Sequence, residues 1–183
     1  MRFPATTIAG VVLVEPEPKE DQRGFFARTF CRQEFRANGL MDRIEQSSVS
    51  FNRRRGTLRG MHFQAAPHAE SKLVACTQGR IFDVALDVRQ DSPSFGQWFG
   101  IELSAENLRM LYLPTGIAHG FQTLEDASAV FYQISEAFHP ESSRGVRWND
   151  PQVAIRWPLS EDLVISERDR TWPDWPAAIR VAP

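Results

Sequence analysis

The sequence predicts an all-β fold, a sandwich or barrel of antiparallel strands with a few short peripheral helices. Three observations carry that prediction. Alternating or apolar runs of strand length recur through the 183 residues. Glycine, proline, asparagine or serine interrupts them at short intervals, and segments with helical spacing are scarce.

The runs follow in order. Val11 to Glu15 and Phe25 to Phe30 read as strands, and Arg32 to Asn38 reads as a short helix stopped by Gly39. Gly56 to Gln64 alternates as a strand does, and Leu73 to Cys76 follows it. Gln78-Gly79 is a turn into Ile81 to Val88, and Ser92-Pro93-Ser94 is a turn before Trp98 to Leu103. Met110 to Leu113 ends at Pro114-Thr115-Gly116, where the chain turns and re-enters a strand carrying His119; Val130 to Ile134 follows. From Asp150 to Pro183 the chain is richer in proline and tryptophan. Trp157, Trp172 and Trp175 predict a tail that wraps the barrel and reaches its pocket, with a second helical piece within it. Neither a repeat nor a low-complexity linker divides the chain, so residues 1–183 are expected to form one domain.

A net charge of −2 and a pI near 6.1 give no global reason to expect a nucleic-acid or membrane partner. Cys31 and Cys76 lack CxxC spacing and predict reduced thiols. With no apolar leader after Met1 and no apolar run long enough to span a bilayer, the expectation is a cytoplasmic protein.

Chemistry concentrates in Gly56-Thr-Leu-Arg-Gly-Met-His-Phe-Gln64. Strict alternation directs Arg59 and Met61 one way and Leu58, Gly60 and His62 the other, so His62 is expected to face a confined interior. An imidazole there is suited to take a proton from carbon beside a carbonyl, if a partner fixes its tautomer. The same stretch, taken alone, also fits a hydrogen-bonded core histidine. The spacing PxGxxH in Pro114 to His119 resembles the second motif of the cupin superfamily, which implies a double-stranded β-helix jelly roll. A metal-binding His-x-His-and-Glu set cannot be drawn, because Gln64 stands two residues after His62 and an amide is a poor replacement for imidazole.

Motifs over nearly the whole chain resemble the dTDP-4-dehydrorhamnose 3,5-epimerase family. They include Asp21-x-Arg23-Gly24-x-Phe26, Gly56 to Gln64, Lys72-Leu-Val, Phe82 to Arg89, Ser92-Pro-Ser-Phe-Gly96, Leu103 to Asn107, Pro114 to Phe121 and Tyr132. Trp148-Asn-Asp-Pro151, Ile155-x-Trp157-Pro158 and Ser166-x-x-Asp169 complete the series. The resemblance implies a cofactor-free, metal-free cupin, a homodimer, acting on a nucleotide-diphospho-4-keto-6-deoxyhexose in polysaccharide synthesis. It implies His62 as general base oriented by Asp169, Lys72 holding the C4 enolate oxygen, and Tyr132 returning a proton on the opposite face. Arg23 and Arg59 match diphosphate-binding positions, where guanidinium forks suit phosphate oxygens. Phe26, Gln46 and His119 join them as substrate-binding positions.

Four positions depart from that family's pattern. Arg28 replaces an acid, Ser48 an asparagine, Phe138 a tyrosine and Gln133 a lysine, and each is expected to alter a polar contact with nucleotide or sugar. A sugar-nucleotide ketoisomerase, which needs no acid opposite its base, and a non-catalytic nucleotide-sugar-binding cupin are the alternatives.

Overall fold

Alternation along the chain becomes two facing antiparallel sheets. A computed structural model of the chain describes residues 1–175; the last part of the predicted tail, 176–183, lies outside the described residues. In chain order the elements are β1 (Val12–Val14), β2 (Lys19–Asp21), β3 (Gly24–Phe26), α1 (Arg32–Ala37), β4 (Gln46–Asn52), β5 (Thr57–Gln64) and β6 (Lys72–Gln78). They continue with β7 (Arg80–Asp87), β8 (Trp98–Ser104), β9 (Met110–Leu113), β10 (Ile117–Thr123) and β11 (Ser128–Ile134). A 3-10 turn (Pro140–Ser142), β12 (Ser143–Gly145), β13 (Val164–Ile165) and α2 (Glu167–Arg170) complete the described chain.

One sheet runs β1-β9-β6-β11-β4 and the other β12-β5-β10-β7-β8, while β2 and β3 form a separate hairpin. This is the predicted jelly roll. Between the sheets pack Val74, Ile81, Leu103, Leu111, Phe121 and Val130, each no more than 1% exposed. On β7 the residues between these inward positions, Val84 and Leu86, point outward instead, and the tail covers them with Val146, Val153, Ile155, Trp157 and Trp175. The N-terminal segment and α1 cover the outer face of the first sheet at its β1-β9 end, where Phe35 is fully buried against Phe3 and Phe30. Gly39 ends this helix region at φ +70, the left-handed conformation that favours glycine.

The strand from Phe25 ends sooner than expected: its pairing with β2 stops at Phe26, and Thr29 and Phe30 lie outside it. A buried polar knot ties the N-terminal segment to the far end of the barrel. Asp87 accepts from Arg89, from Ser92 Oγ at 2.5 Å and from Ser94 Oγ at 2.7 Å, while Ala9 donates its N–H to Ser94 Oγ at 3.0 Å. Burial pushes the Asp87 carboxyl up, but these donors outweigh it and hold the group at about 2.

Candidate active site

The faces that meet in the apolar core turn polar toward one end of the barrel. On β11 the inward positions run from Val130 to Tyr132 and Ile134; on β6 from Cys76 and Val74 to Lys72; on β4 they are Ser48 and Gln46. From the opposite sheet come His62 and Gln64 of β5 and His119 of β10. Together they enclose a cavity of about 320 Å³, at the small end for a ligand site and suited to a sugar ring, with the rest of a longer ligand on the rim.

Strict alternation fails at one important place. His119 pairs with His62 and Phe121 with Arg59, so Gly60 and Met61 on β5 stand opposite Gly120 alone. This β-bulge moves the register by one residue. Arg59 therefore shares the inward face with His62, contrary to the alternation expected from sequence, while Met61 packs outward against the tail-covered cluster. Arg59 Nε donates to Asn52 Oδ1 at 2.8 Å, and its charge bears on Tyr132.

The chain brings Asp169 to His62 along the same strand. β13 pairs in parallel with β5 at Thr57 and Leu58, and Ser166, just after it, caps α2 by accepting from the Asp169 N–H at 3.1 Å. Asp169 Oδ1 then lies 2.5 Å from His62 Nε2, across 107 positions of sequence. Burial raises the Asp169 carboxyl, but the hydrogen bond and charge of His62, with donors from Trp172 Nε1 and Ser166, outweigh it and leave the pKa lowered. An ionised carboxylate only accepts, so Nε2 carries the proton and Nδ1 is the free acceptor. The Trp172 ring occupies the space that Gly145 leaves open beside His62; a Cβ on Gly145 would lie 2.4 Å from it. Its edge meets His62 with centroids 5.9 Å apart.

Lys72 Nζ is 2.7 Å from Glu70 Oε1, and both side chains are largely buried at the cavity wall. His119 Nε2 is 2.7 Å from Asp83 Oδ1 in a buried pair, and its ring meets Tyr132 edge-on at 5.9 Å. Burial, reinforced by the Asp83 charge, pushes the Tyr132 phenol up against the opposing effect of Arg59, so it stays protonated. The arrangement is an imidazole bonded to a buried carboxylate, a buried lysine and a protonated phenol around one cavity. It is fit for removing and returning a carbon-bound proton beside a carbonyl.

His62, Lys72, Tyr132, Asp169, Gln46 and His119 are thus brought together, although Gln46 also accepts the Phe138 N–H at 3.0 Å. Arg23 and Phe26 are not. They lie on the β2-β3 hairpin, Arg23 paired with Asp21 at 2.6 Å and Phe26 73% exposed. Among the departures, Ser48 and Phe138 line the cavity and Arg28 pairs with Glu34 at 3.5 Å. Gln133 corrects its expectation: next to inward Tyr132 it faces the outer side of the sheet with Phe131 and Leu73, so it makes no contact in this cavity. Sequence reasoning missed Arg168 and the pairing of Glu70 with Lys72, while Trp172 reaches the site as the tail was expected to. Arg168 lines the cavity, lies over the Trp172 ring at 4.9 Å and donates to Ser143 Oγ at 2.8 Å; its place beside Asp169 in the Ser166 motif was the available signal.

Known proteins give the same picture. The family model for dTDP-4-dehydrorhamnose 3,5-epimerase matches residues 5–176. A relative of that name from Methanothermobacter thermautotrophicus is 45% identical over 173 residues, covering 93% of this chain and 92% of its own. The crystal structure of one from Elizabethkingia anophelis has a TM-score of 0.93 at 36% identity, covering 97% of both chains. The Legionella pneumophila dTDP-6-deoxy-D-glucose-3,5-epimerase, solved with dTDP-4-keto-L-rhamnose, has a TM-score of 0.88 at 38% identity, covering 93% of this chain and 90% of its own.

Proposed function

Since the chain belongs to the dTDP-4-dehydrorhamnose 3,5-epimerase family and is an epimerase of that type, we propose how its own residues divide the reaction. The cavity takes the sugar of a nucleotide-diphospho-4-keto-6-deoxyhexose. His62 Nδ1 removes a proton from a carbon next to the C4 ketone, and the electron pair moves into an enolate whose oxygen Lys72 holds. Asp169 stabilises the imidazolium that results. Tyr132 gives its proton to the same carbon from the opposite face, which inverts the centre, and solvent returns the enzyme's protons to their starting places. His119, held by Asp83, sets the Tyr132 ring; Arg59 stabilises the phenolate and meets the diphosphate.

The observation that carries this reading is the His62–Asp169 pair facing a cavity that also holds Lys72 and Tyr132. Incubation with a dTDP-4-keto-6-deoxyhexose in heavy water tests it. Deuterium should enter at C3, C5 or both, and the pattern shows which carbons are deprotonated. His62→Ala should abolish the exchange; exchange at the wild-type rate in that variant would remove His62 from the base's role.

Arg23 and Phe26 are assigned to the pocket of a second copy of the chain. Their exposure supports this, together with that of Phe25, Val49 and Phe51, all more than half exposed. Sedimentation should give a dimer, and a monomer at working concentration would end this assignment. Among the described residues no helix is long and apolar enough to cross a membrane.

A further inference from the structure

Two loops at the rim of the cavity carry an arrangement that the epimerase reaction does not use. His68 lies between β5 and β6, and His139 and Glu141 lie at the 3-10 turn after β11. The two imidazole rings stack with centroids 3.5 Å apart and planes 8° from parallel. His139 Nδ1 is 3.1 Å from Glu141 Oε1, and His68 Nδ1 is 4.0 Å from the same oxygen and 3.0 Å from Ser142 Oγ. One ligand atom from each of the three residues lies within 4.8 Å of the other two.

We propose that His68, His139 and Glu141 form a binding site for a divalent transition-metal ion that clips these two loops together. Two imidazole nitrogens and a carboxylate suit zinc once the His68 and His139 rings turn out of their stack so that both in-plane lone pairs meet the ion, with a fourth position left for water. They suit copper and nickel as well, whereas magnesium and calcium prefer all-oxygen sites. Glu136, 3.9 Å from His139 Nε2, adds negative charge beside the set.

The backbones that carry the two histidines are already fixed by one buried amide. Gln64 Oε1 accepts the His139 N–H at 2.6 Å, and Gln64 Nε2 donates to the carbonyls of His68 and Ala137, each at 3.0 Å. Ala65 N–H donates to the Ser142 carbonyl at 2.9 Å, tying the loops a second time. Both histidine side chains are 31% exposed, so an ion reaches them from solvent. The same loops bring Glu70 and Phe138 to the cavity. The ion therefore braces the rim and takes no part in proton transfer.

Zinc titration of chelator-stripped protein, followed by calorimetry without substrate, tests the site separately from the epimerase reading. One equivalent should bind per chain. Loss of a second-shell partner weakens metal sites by about 10- to 100-fold, so His68→Gln or His139→Gln, each removing a ligand, should weaken zinc by at least about tenfold. Glu141→Gln should also weaken it. Cobalt bound to wild type should give visible absorption that the His68→Gln/His139→Gln double variant lacks. Circular dichroism and deuterium exchange should be unchanged in the variants, which separates loss of a ligand from loss of the fold. Wild-type protein that binds zinc no more tightly than the folded double variant would overturn the proposal.

Discussion

Replacing Asp169 by asparagine tests the centre of the proposed chemistry with little change in shape. The wild-type carboxylate is 6% exposed and accepts from His62 at 2.5 Å and from Trp172 at 3.2 Å. A hydrogen bond to a charged group is worth about 1.5–3 kcal/mol, and at about 1.4 kcal/mol per decade its loss slows the reaction by about 10- to 150-fold. The asparagine amide also donates to Nε2 instead of accepting, which places the ring proton on Nδ1, the nitrogen that serves as base. That wrong tautomer brings the expected fall in kcat to the order of 10³-fold, with KM little changed because the sugar is not contacted. The assay is deuterium entry from heavy water, with thermal unfolding as the control for structure. A folded Asp169→Asn protein that turns over within about threefold of wild type would refute the assignment of both tautomer and orienting acid.

Tyr132→Phe should separate the two proton transfers: deuterium still enters through His62, while inversion falls by about 10²- to 10⁴-fold. Inversion at the full rate would remove Tyr132 from the acid's role, and full turnover without inversion would point instead to one-face chemistry of the ketoisomerase kind. Gly145→Ala should push the Trp172 ring off Asp169, costing one hydrogen bond to a charged group of about 1.5–3 kcal/mol and hence about tenfold or more in kcat; Trp172→Phe should match it, and an unaffected Gly145→Ala protein would show that Trp172 does not position the pair. Asp87 is fully buried and its pKa is depressed from 3.8 to about 2, so it contributes about 2 kcal/mol of stability that is present above pH 4 and lost as pH falls toward 2. Urea unfolding of Asp87→Asn should be weaker by about that amount at neutral pH and flatter across this acid window; an unchanged acid limb would contradict the linkage.

Sequence and structure part company for physical reasons that particular residues display. β6 and β7 were readable because their inward residues Val74, Ile81 and Ala85 are apolar and buried. β4 was not read as a strand because its inward side chains are polar cavity residues, Gln46 and Ser48, while its apolar ones, Val49 and Phe51, face outward. Arg59 was placed on the wrong face because a bulge changes alternation, and only Gly60 hints at one in the sequence. The His62–Asp169 contact spans 107 positions and leaves no local trace, so only family resemblance reached it. Glu70 stands two residues before Lys72, and its pairing with that lysine depends on the bend of the β5-β6 loop, which the spacing alone does not show.

The way β13 delivers the orienting acid has a consequence for the order in which the protein becomes active. All strands of the two main sheets except β13 are complete by Gly145, whereas Asp169 follows the β13 pairing at Val164 and Ile165. The residues of the barrel strands and His62 are therefore made before the acid that contacts this histidine. In the proposed mechanism, a chain made only as far as Gly145 carries His62, Lys72 and Tyr132 and lacks the acid that orients its base.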